Sequence, residues 1–375
     1  MRFTVDRDVL ADAVAWTSRA VPARPPVPVL AGVRITADSS GEVTLASFDY
    51  EVSARGTFAA DVEQAGEVLV SGRLLKEIAN ALPHKPVEFS LEGSKVSVTC
   101  GASRFTLATM PVDQYPALPE LPAQSGTIDG GALQRAVAQV TVAASRDETL
   151  PILTGVRVEI EGSHITMLAT DRYRLALREL SWKPSAPDAS AVALVRARTL
   201  GDTAKALGAG DVTVALSSGQ GVDLIGFEAA GLTTTSLLMD GDYPQVRRLF
   251  PDESPIKAVV KTTELIEATR RVSLVAERNS SVRLAFAEGE VTLDAGQSDD
   301  AQASEALECA LDGEAITVAF NPQYLLDGLG ALSTEYVQLG FTQETKPVEF
   351  VGLEEPGGDV ASEFRYLLVP IRIQS

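Results

Sequence analysis

Apolar positions recur along this chain at helical spacing in three places, with the same offsets each time. Leu10, Ala13, Val14 and Thr17 form the first set, Leu133, Ala136, Val137 and Val140 the second, and Leu265, Ala268, Thr269 and Val272 the third, at steps of 0, 3, 4 and 7. That spacing places one stripe on one face of an α-helix. After each set comes a Val-Arg-aliphatic triplet, Val33-Arg34-Ile35, Val156-Arg157-Val158 and Val282-Arg283-Leu284. Nine or ten residues later follows an aliphatic-Thr-aliphatic triplet, Val43-Thr44-Leu45, Ile165-Thr166-Met167 and Val291-Thr292-Leu293. A second helical pattern anchors at Leu75, Leu200 and Leu325, each 125 residues from the last. This period is too long for a solenoid and fits three whole domains.

Each third therefore reads as helix, strands, helix, strands. Asp6, Ser71 and Asp129 are candidate N-caps, Thr262 or Thr263 fits the fifth helix, and Asn321 followed by Pro322 puts a cap and a first-turn proline in favoured places. Alternating runs predict half-buried strands at 42–46, 87–91, 95–99, 103–108, 212–216, 222–227 and 317–319. Strands without strict βαβ alternation imply an α+β protein with antiparallel sheets. Two proline-rich stretches, 111–126 and 240–255, read as semi-rigid connectors. They divide the chain into domains at 1–121, 127–251 and 255–375.

Composition changes little in this picture, and charge changes more. No stretch approaches the ~20 apolar residues of a membrane span. The N-terminal Met1-Arg2-Phe3-Thr4-Val5-Asp6 lacks an apolar signal core. The two cysteines, Cys100 and Cys309, fall in different repeats and read as reduced structural thiols, so the expected compartment is the cytoplasm. The net charge of −19 argues against nucleic acid when taken alone. Its distribution argues otherwise. The six helical segments with their flanking turns hold 15 basic and 9 acidic residues, against 17 and 42 elsewhere. If each helix lays its apolar stripe on a sheet, a ring of such units has a basic inner surface inside an acidic shell. Head-to-tail contacts close such a ring when the rotation permits.

No catalytic constellation accompanies the repeat. His84 falls in a turn and His164 at a strand start, and both read as solvated. There is no nucleophile elbow and no Walker A sequence. Gly208-Ala209-Gly210 precedes a strand and reads as a turn, and Asp299-Asp300 lies in a polar loop. No metal-ligand cluster and no cofactor motif appear.

Five segments resemble the bacterial sliding clamps, the beta subunits of DNA polymerase III. They are the opening MRFTVDRDVL, RPPVPVLAGV at 24–33, ATDRYRLA at 169–176, and DGDYPQVRRLFP at 240–251 together with the C-terminal YLLVPIRI at 366–373. The resemblance covers the whole chain and implies the DNA clamp fold, in which three repeated domains each carry two helices on antiparallel sheets. It further implies a head-to-tail homodimeric ring around duplex DNA that tethers the replicative polymerase and other proteins carrying a clamp-binding motif, is opened by an ATP-driven loader, and catalyses nothing. Arg24 and Arg73 match basic channel positions of the family, and Arg198 stands where the family has lysine. Arg135, Arg146, Arg196, Lys205, Arg270, Arg271 and Arg278 are candidates by helix position alone, and a solvated helix face is the alternative for each.

The resemblance implies a groove for partner peptides made of Leu153, Thr170, Arg172, Tyr173, Arg174 and Leu175, of Pro244, Arg248 and Leu249, and of Leu368, Val369, Pro370, Ile371 and Arg372. Aliphatic walls would take an apolar anchor, and rim arginines the peptide carbonyls. Leu175 and Leu368 are also readable as ordinary core. The chain departs from the family where Arg172 replaces a small residue, Tyr173 a histidine and Val369 a frequent methionine, and where the tail runs two residues past Ile373. For the subunit interface, the resemblance implies an edge strand at 103–110 with Phe105 and Leu107 as anchors, meeting Ser273 and Leu274 of the partner. Two other classes compete with this reading. A hydrolase with a diffuse carboxylate site lacks any nucleophile–base set, and an extracellular β-rich adhesin lacks a signal peptide and disulfides.

Overall fold

All six helical patterns form helices in the computed structural model, which describes residues 1–217, 223–276, 281–298 and 301–372. They are α1 (Arg7–Thr17), α2 (Gly72–Ala81), α3 (Gly130–Thr141), α4 (Ala197–Leu207), α5 (Thr262–Val272) and α6 (Pro322–Ala331). Every residue of the three repeated stripes is buried, as are Leu75, Leu200 and Leu325. Removing each large apolar side chain from water stabilises the fold by roughly 1.5–3 kcal/mol. Asp6 caps α1 by accepting from the amides of Asp8 and Val9, and Asn321 caps α6 through those of Gln323 and Tyr324. Ser71 reaches Leu74 N at 3.5 Å. The fifth helix differs from expectation. Its cap position is Lys261 with no side-chain bond, and Thr262 is already helical, buried, with its hydroxyl unpartnered. A threonine turned inward by the apolar stripe has no amide within reach to cap.

Each third carries two groups of four antiparallel strands in a fixed order. In the first groups the orders are Val52–Ala59, Glu42–Phe48, Gly32–Ala37, Gly66–Ser71; then Arg174–Ser181, His164–Thr170, Gly155–Glu161, Ser190–Arg196; then Ala301–Asp312, Gly289–Ser298, Val282–Ala287, Ile316–Phe320. In the second groups they are Ser103–Met110, Lys95–Cys100, Val87–Glu92, Arg2–Val5; then Leu232–Leu237, Leu224–Ala229, Asp211–Ser217, Gln124–Asp129; then Val360–Leu368, Val348–Leu353, Tyr336–Phe341, Ile256–Lys261. The strand expected at 222–227 begins at Leu224, and Val222 lies outside the described residues. The Val-Arg and Thr triplets pair directly, with Ile35 opposite Leu45, Val158 opposite Met167 and Leu284 opposite Leu293.

Two compact units result. One comprises Met1–Gly131, Lys183–Pro187 and Asp202–Leu238, and the other Ala132–Trp182, Asp188–Gly201 and Met239–Ser375. Each holds a continuous antiparallel sheet, of 14 and 12 strands respectively, because repeats are joined edge to edge. In the first unit the leading strand of the first repeat, Val52–Ala59, pairs with Leu232–Leu237, placing Val52 opposite Ser236. In the second unit the leading strand of the second repeat, Arg174–Ser181, pairs with Val360–Leu368, placing Arg174 opposite Leu368.

The connectors are packed against these joins, not free spacers. Tyr115 and Leu118 are buried with Val29, Leu30, Phe48 and Leu69. Tyr243 is buried, and its hydroxyl accepts from Thr170 N at 2.9 Å. Gly328 on α6 lets the helix approach Tyr366 closely, since a Cβ there would lie 2.3 Å from the ring.

Candidate functional site

The groove residues assemble in the second unit around one turn. Between His164–Thr170 and Arg174–Ser181, the Asp171 carboxylate accepts from the amides of Tyr173 and Arg174, both at 3.0 Å. Thr170 Oγ1 donates to Arg174 O at 2.7 Å and accepts from Arg172 N at 3.1 Å. The turn holds Arg172 at φ 81°. A Cβ in that left-handed region costs roughly 1–2 kcal/mol, so glycine is the relaxed choice there.

Arg174 does not reach the rim. It is 6% exposed and bound by Asp171 at 2.9 Å and Asp327 of α6 at 2.6 Å, with its guanidinium 4.2 Å over the Tyr324 ring. Burial drives the Tyr366 phenol far above its ordinary pKa, and its hydroxyl donates to Tyr324 O at 2.9 Å. A cation buried in this way is expensive unless it is paired, and here Asp171 accepts from Nε, Asp327 accepts from Nη1 and the ring covers the guanidinium face. Tyr324 and Asp327 were absent from the sequence-derived site. The available signal was Asp327, the single charged residue in the sixth helical segment, which has no cation of its own.

Around this centre the apolar groups split into floor and walls. Leu168, Leu175, Leu177, Phe250 and Leu367 form a buried cluster with Val246 against it, and Leu368 is fully buried and Leu153 nearly so. The exposed members are Tyr173 at 54%, Leu249 at 53%, Ile371 at 40% and Val369 at 38%. Val369 N donates to Tyr173 O at 2.9 Å and Ile371 N to Ala319 O at 2.7 Å, which pins the tail beside the turn. A recess of about 220 Å³ opens next to it, lined by Val318, Ala319, Glu344, Pro370, Ile371 and Arg372. Pro244 and Arg248 are exposed on the connector, while the neighbouring Arg247 is tied to Glu179 at 2.7 Å. The arrangement is a lipped apolar surface with cations beside it and no nucleophile.

The basic helix candidates are exposed at Arg24, Arg73, Arg135, Arg146, Arg198, Lys205 and Arg270, and half-buried at Arg196. Arg73 pairs with Glu77 one turn on, at 3.4 Å. Arg271 is engaged by Glu305 at 2.6 Å and Glu267 at 3.6 Å, which makes it a strand–helix tie. Arg278 lies outside the described residues, as does Asp299-Asp300.

Besides the terminal strands of the two sheets, two strands inside them keep a largely open edge among the described residues. Ser103–Met110 pairs along 103–108 on one flank only, because its other flank touches Leu69 and Val70 solely through Met110 and Thr109. Ala301–Asp312 is bound along 301–309 on one flank, and its other flank is paired only from Ala310 to Asp312. Phe105 is half-exposed, but Leu107 is 4% exposed and belongs to the core of the first repeat, so it is no free anchor. Leu274, in the short helix Ser273–Val275, is 84% exposed, while the Ser273 hydroxyl turns back onto Thr269 O.

A threefold repeat of two helices on two strand groups, joined edge to edge, defines a DNA clamp fold. The chain matches the DNA polymerase III beta subunit in all three of its domains, the N-terminal over residues 1–119, the central over 127–245 and the C-terminal over 247–371. The chain belongs to that family. It is 54% identical over 375 residues to the beta sliding clamp of Streptomyces coelicolor, covering 100% of both chains. It is 60% identical over 313 residues to that of Micrococcus luteus, covering 83% of this chain and 100% of the relative. The crystal structure of the DNA polymerase sliding clamp from Bacillus subtilis superposes with a TM-score of 0.90 at 27% identity, over 100% of each chain.

Proposed function

We propose that two copies of this chain close head to tail into a ring around duplex DNA. Family membership makes the chain a sliding clamp, a processivity factor of DNA replication with no chemistry of its own. Its partners are DNA and DNA polymerase III. The finer assignments are our reading: domains at 1–121, 127–251 and 255–375, an ATP-driven loader, cytoplasmic location, contact with DNA through Arg24, Arg73, Arg135, Arg146, Arg198, Arg270 and Arg278, and the groove described above as the tether.

The open edges carry the ring. At each internal join the leading strand of one repeat's first group pairs with the leading strand of the next repeat's second group. Applying the same rule once more leaves 301–309 of the third repeat to meet 103–108 of a first repeat. Both edges stay unpaired within the described residues, so a second copy is the partner that completes the rule, and a heterologous pairing of this kind closes a ring. Such pairing also removes two edges that would otherwise template aggregation. Phosphate contacts from helix-borne arginines hold the duplex without reading sequence, which sliding requires. Topological linkage tolerates weak contacts, and an acidic outer shell repels DNA from the wrong face. Sedimentation equilibrium tests the assembly. The expected mass is twice the 39.6 kDa of the chain, and a monomer at micromolar concentration contradicts the ring.

A further inference from the structure

The join within the first unit repeats the backbone of the turn at Arg172 and reverses its charge. The Asp49 carboxylate accepts from Glu51 N at 2.9 Å and Val52 N at 2.6 Å, as Asp171 does from Tyr173 and Arg174. Leu237 N donates to Glu51 O at 2.9 Å, as Val369 N does to Tyr173 O. The residue at the tip is Tyr50, at φ 77°, in the place of Arg172 at 81°. In the connectors Tyr115-Pro116 and Glu120-Leu121 stand in the places of Tyr243-Pro244 and Arg248-Leu249. Residues 111–126 hold no lysine or arginine, whereas 240–255 hold two arginines.

At this first join an aromatic ring stands in the open. Phe48, buried with Val29, Leu30, Tyr115 and Leu118, meets the Tyr50 ring in a T-shaped contact at 5.7 Å and leaves the residue 48% exposed. Trp16, Tyr173, Tyr324 and Phe250 each lie under an arginine of the same chain, at 4.2 to 5.9 Å. Among the described residues no cation covers Tyr50 in that way. The nearby arginines are committed elsewhere. Arg55 is half-buried and donates to Pro119 O at 3.4 Å, and burial lowers its pKa against the pull of Glu120. Arg34 pairs with Glu67 at 3.4 Å. Glu51 and Glu120 are exposed, and the adjoining Leu237 and Leu121 are half-buried. An open aromatic face bordered by carboxylates is complementary to a guanidinium or ammonium group.

We propose that the first join is a docking surface for an extended segment of a partner protein in which an arginine or lysine stands beside an aliphatic or aromatic anchor. The cation lies over the Tyr50 ring within reach of Glu51 and Glu120, and the anchor packs on Leu121 and Leu237. The same carboxylates repel a nucleic-acid backbone, so the occupant is a protein segment. This surface is separate from the groove of the second join, and the proposal holds whether or not that groove tethers the polymerase.

Full-length protein titrated by fluorescence anisotropy with three labelled peptides tests it. The peptides share a Leu-Phe anchor and carry Arg, Gln or Glu at the flanking position. The Arg peptide is expected to bind about tenfold tighter than the Gln peptide at low salt, from one cation–π contact and two exposed charge contacts, and the Glu peptide weaker than both. High salt compresses the series. Tyr50→Gly, which suits the positive φ, brings the Arg-to-Gln ratio close to one, and Glu51→Gln with Glu120→Gln lowers it, while Tyr50→Phe keeps most of it. Tyr173→Ala, at the second join, leaves the ratio unchanged. Melting temperature controls for folding. Equal binding of the Arg and Gln peptides, or no binding of any, overturns the proposal. An Arg preference that survives Tyr50→Gly and is lost in Tyr173→Ala overturns it as well, because the site then lies at the second join.

Discussion

Glutamate at both Phe105 and Leu274 is expected to turn the dimer into monomers. Phe105 sits half-exposed on the open edge of 103–108, and Leu274 is the most exposed large apolar side chain of the described residues. Leu274 gains almost nothing from burial in the free chain and Phe105 is only partly covered, so both keep apolar surface available to an interface. Each of the ring's two interfaces would close over two carboxylates at a cost of at least ~2 kcal/mol apiece, which weakens each interface by about a thousandfold. The variant should keep its melting temperature and sediment at 39.6 kDa. The contrast is Leu107→Glu. Leu107 packs opposite Val96 in the first repeat's core, so this variant unfolds the repeat and reports nothing about assembly. A well-folded Phe105→Glu/Leu274→Glu protein that remains dimeric would place the interface elsewhere.

Arg174→Ala is expected to be the most destabilising single change at the groove, by roughly 3–5 kcal/mol, because it strands two partly buried carboxylates. Asp171 and Asp327 are 10% and 22% exposed in their side chains, and both lose their cation together with its contact to Tyr324. Arg174→Lys should recover little, since an ammonium cannot reach both carboxylates and lie flat on the ring. Urea unfolding monitors the loss, and a double-mutant cycle with Asp327→Asn assigns the share owed to the 2.6 Å pair. A cost below ~1 kcal/mol would mean that the centre is solvated in solution. Peptide binding should fall in parallel, because Arg174 ties the 170–175 turn to α6 beneath the groove.

The helices and most strands were legible because their signals are local. The 0, 3, 4, 7 stripes predicted which faces are buried, and all twelve of those residues are. The Asp6 and Asn321 caps could be read from residue type and position. What was not legible depends on distant partners. Arg174 looks like a solvent-facing charge in an alternating strand until Asp327, 153 residues away, is placed beside it. Leu107 and Phe105 share one strand face, yet the core ends between them, and no spacing reveals where. The edge-to-edge joins, Val52 with Ser236 and Arg174 with Leu368, link segments whose pairing leaves no local trace. The resemblance supplied the groove segments, but only the geometry separated floor from wall and bound arginine from free.

Retention on DNA of two topologies tests encirclement most directly. The protein is loaded with its loader and ATP onto a nicked circular duplex, freed of unbound protein at moderate salt, and the circle is then either left intact or cut once. The clamp is expected to stay on the circle and to be lost from the cut molecule by running off its ends, and blocking those ends is expected to restore retention. Equal loss from both topologies, or equal retention on both, would contradict a ring that holds DNA by enclosing it.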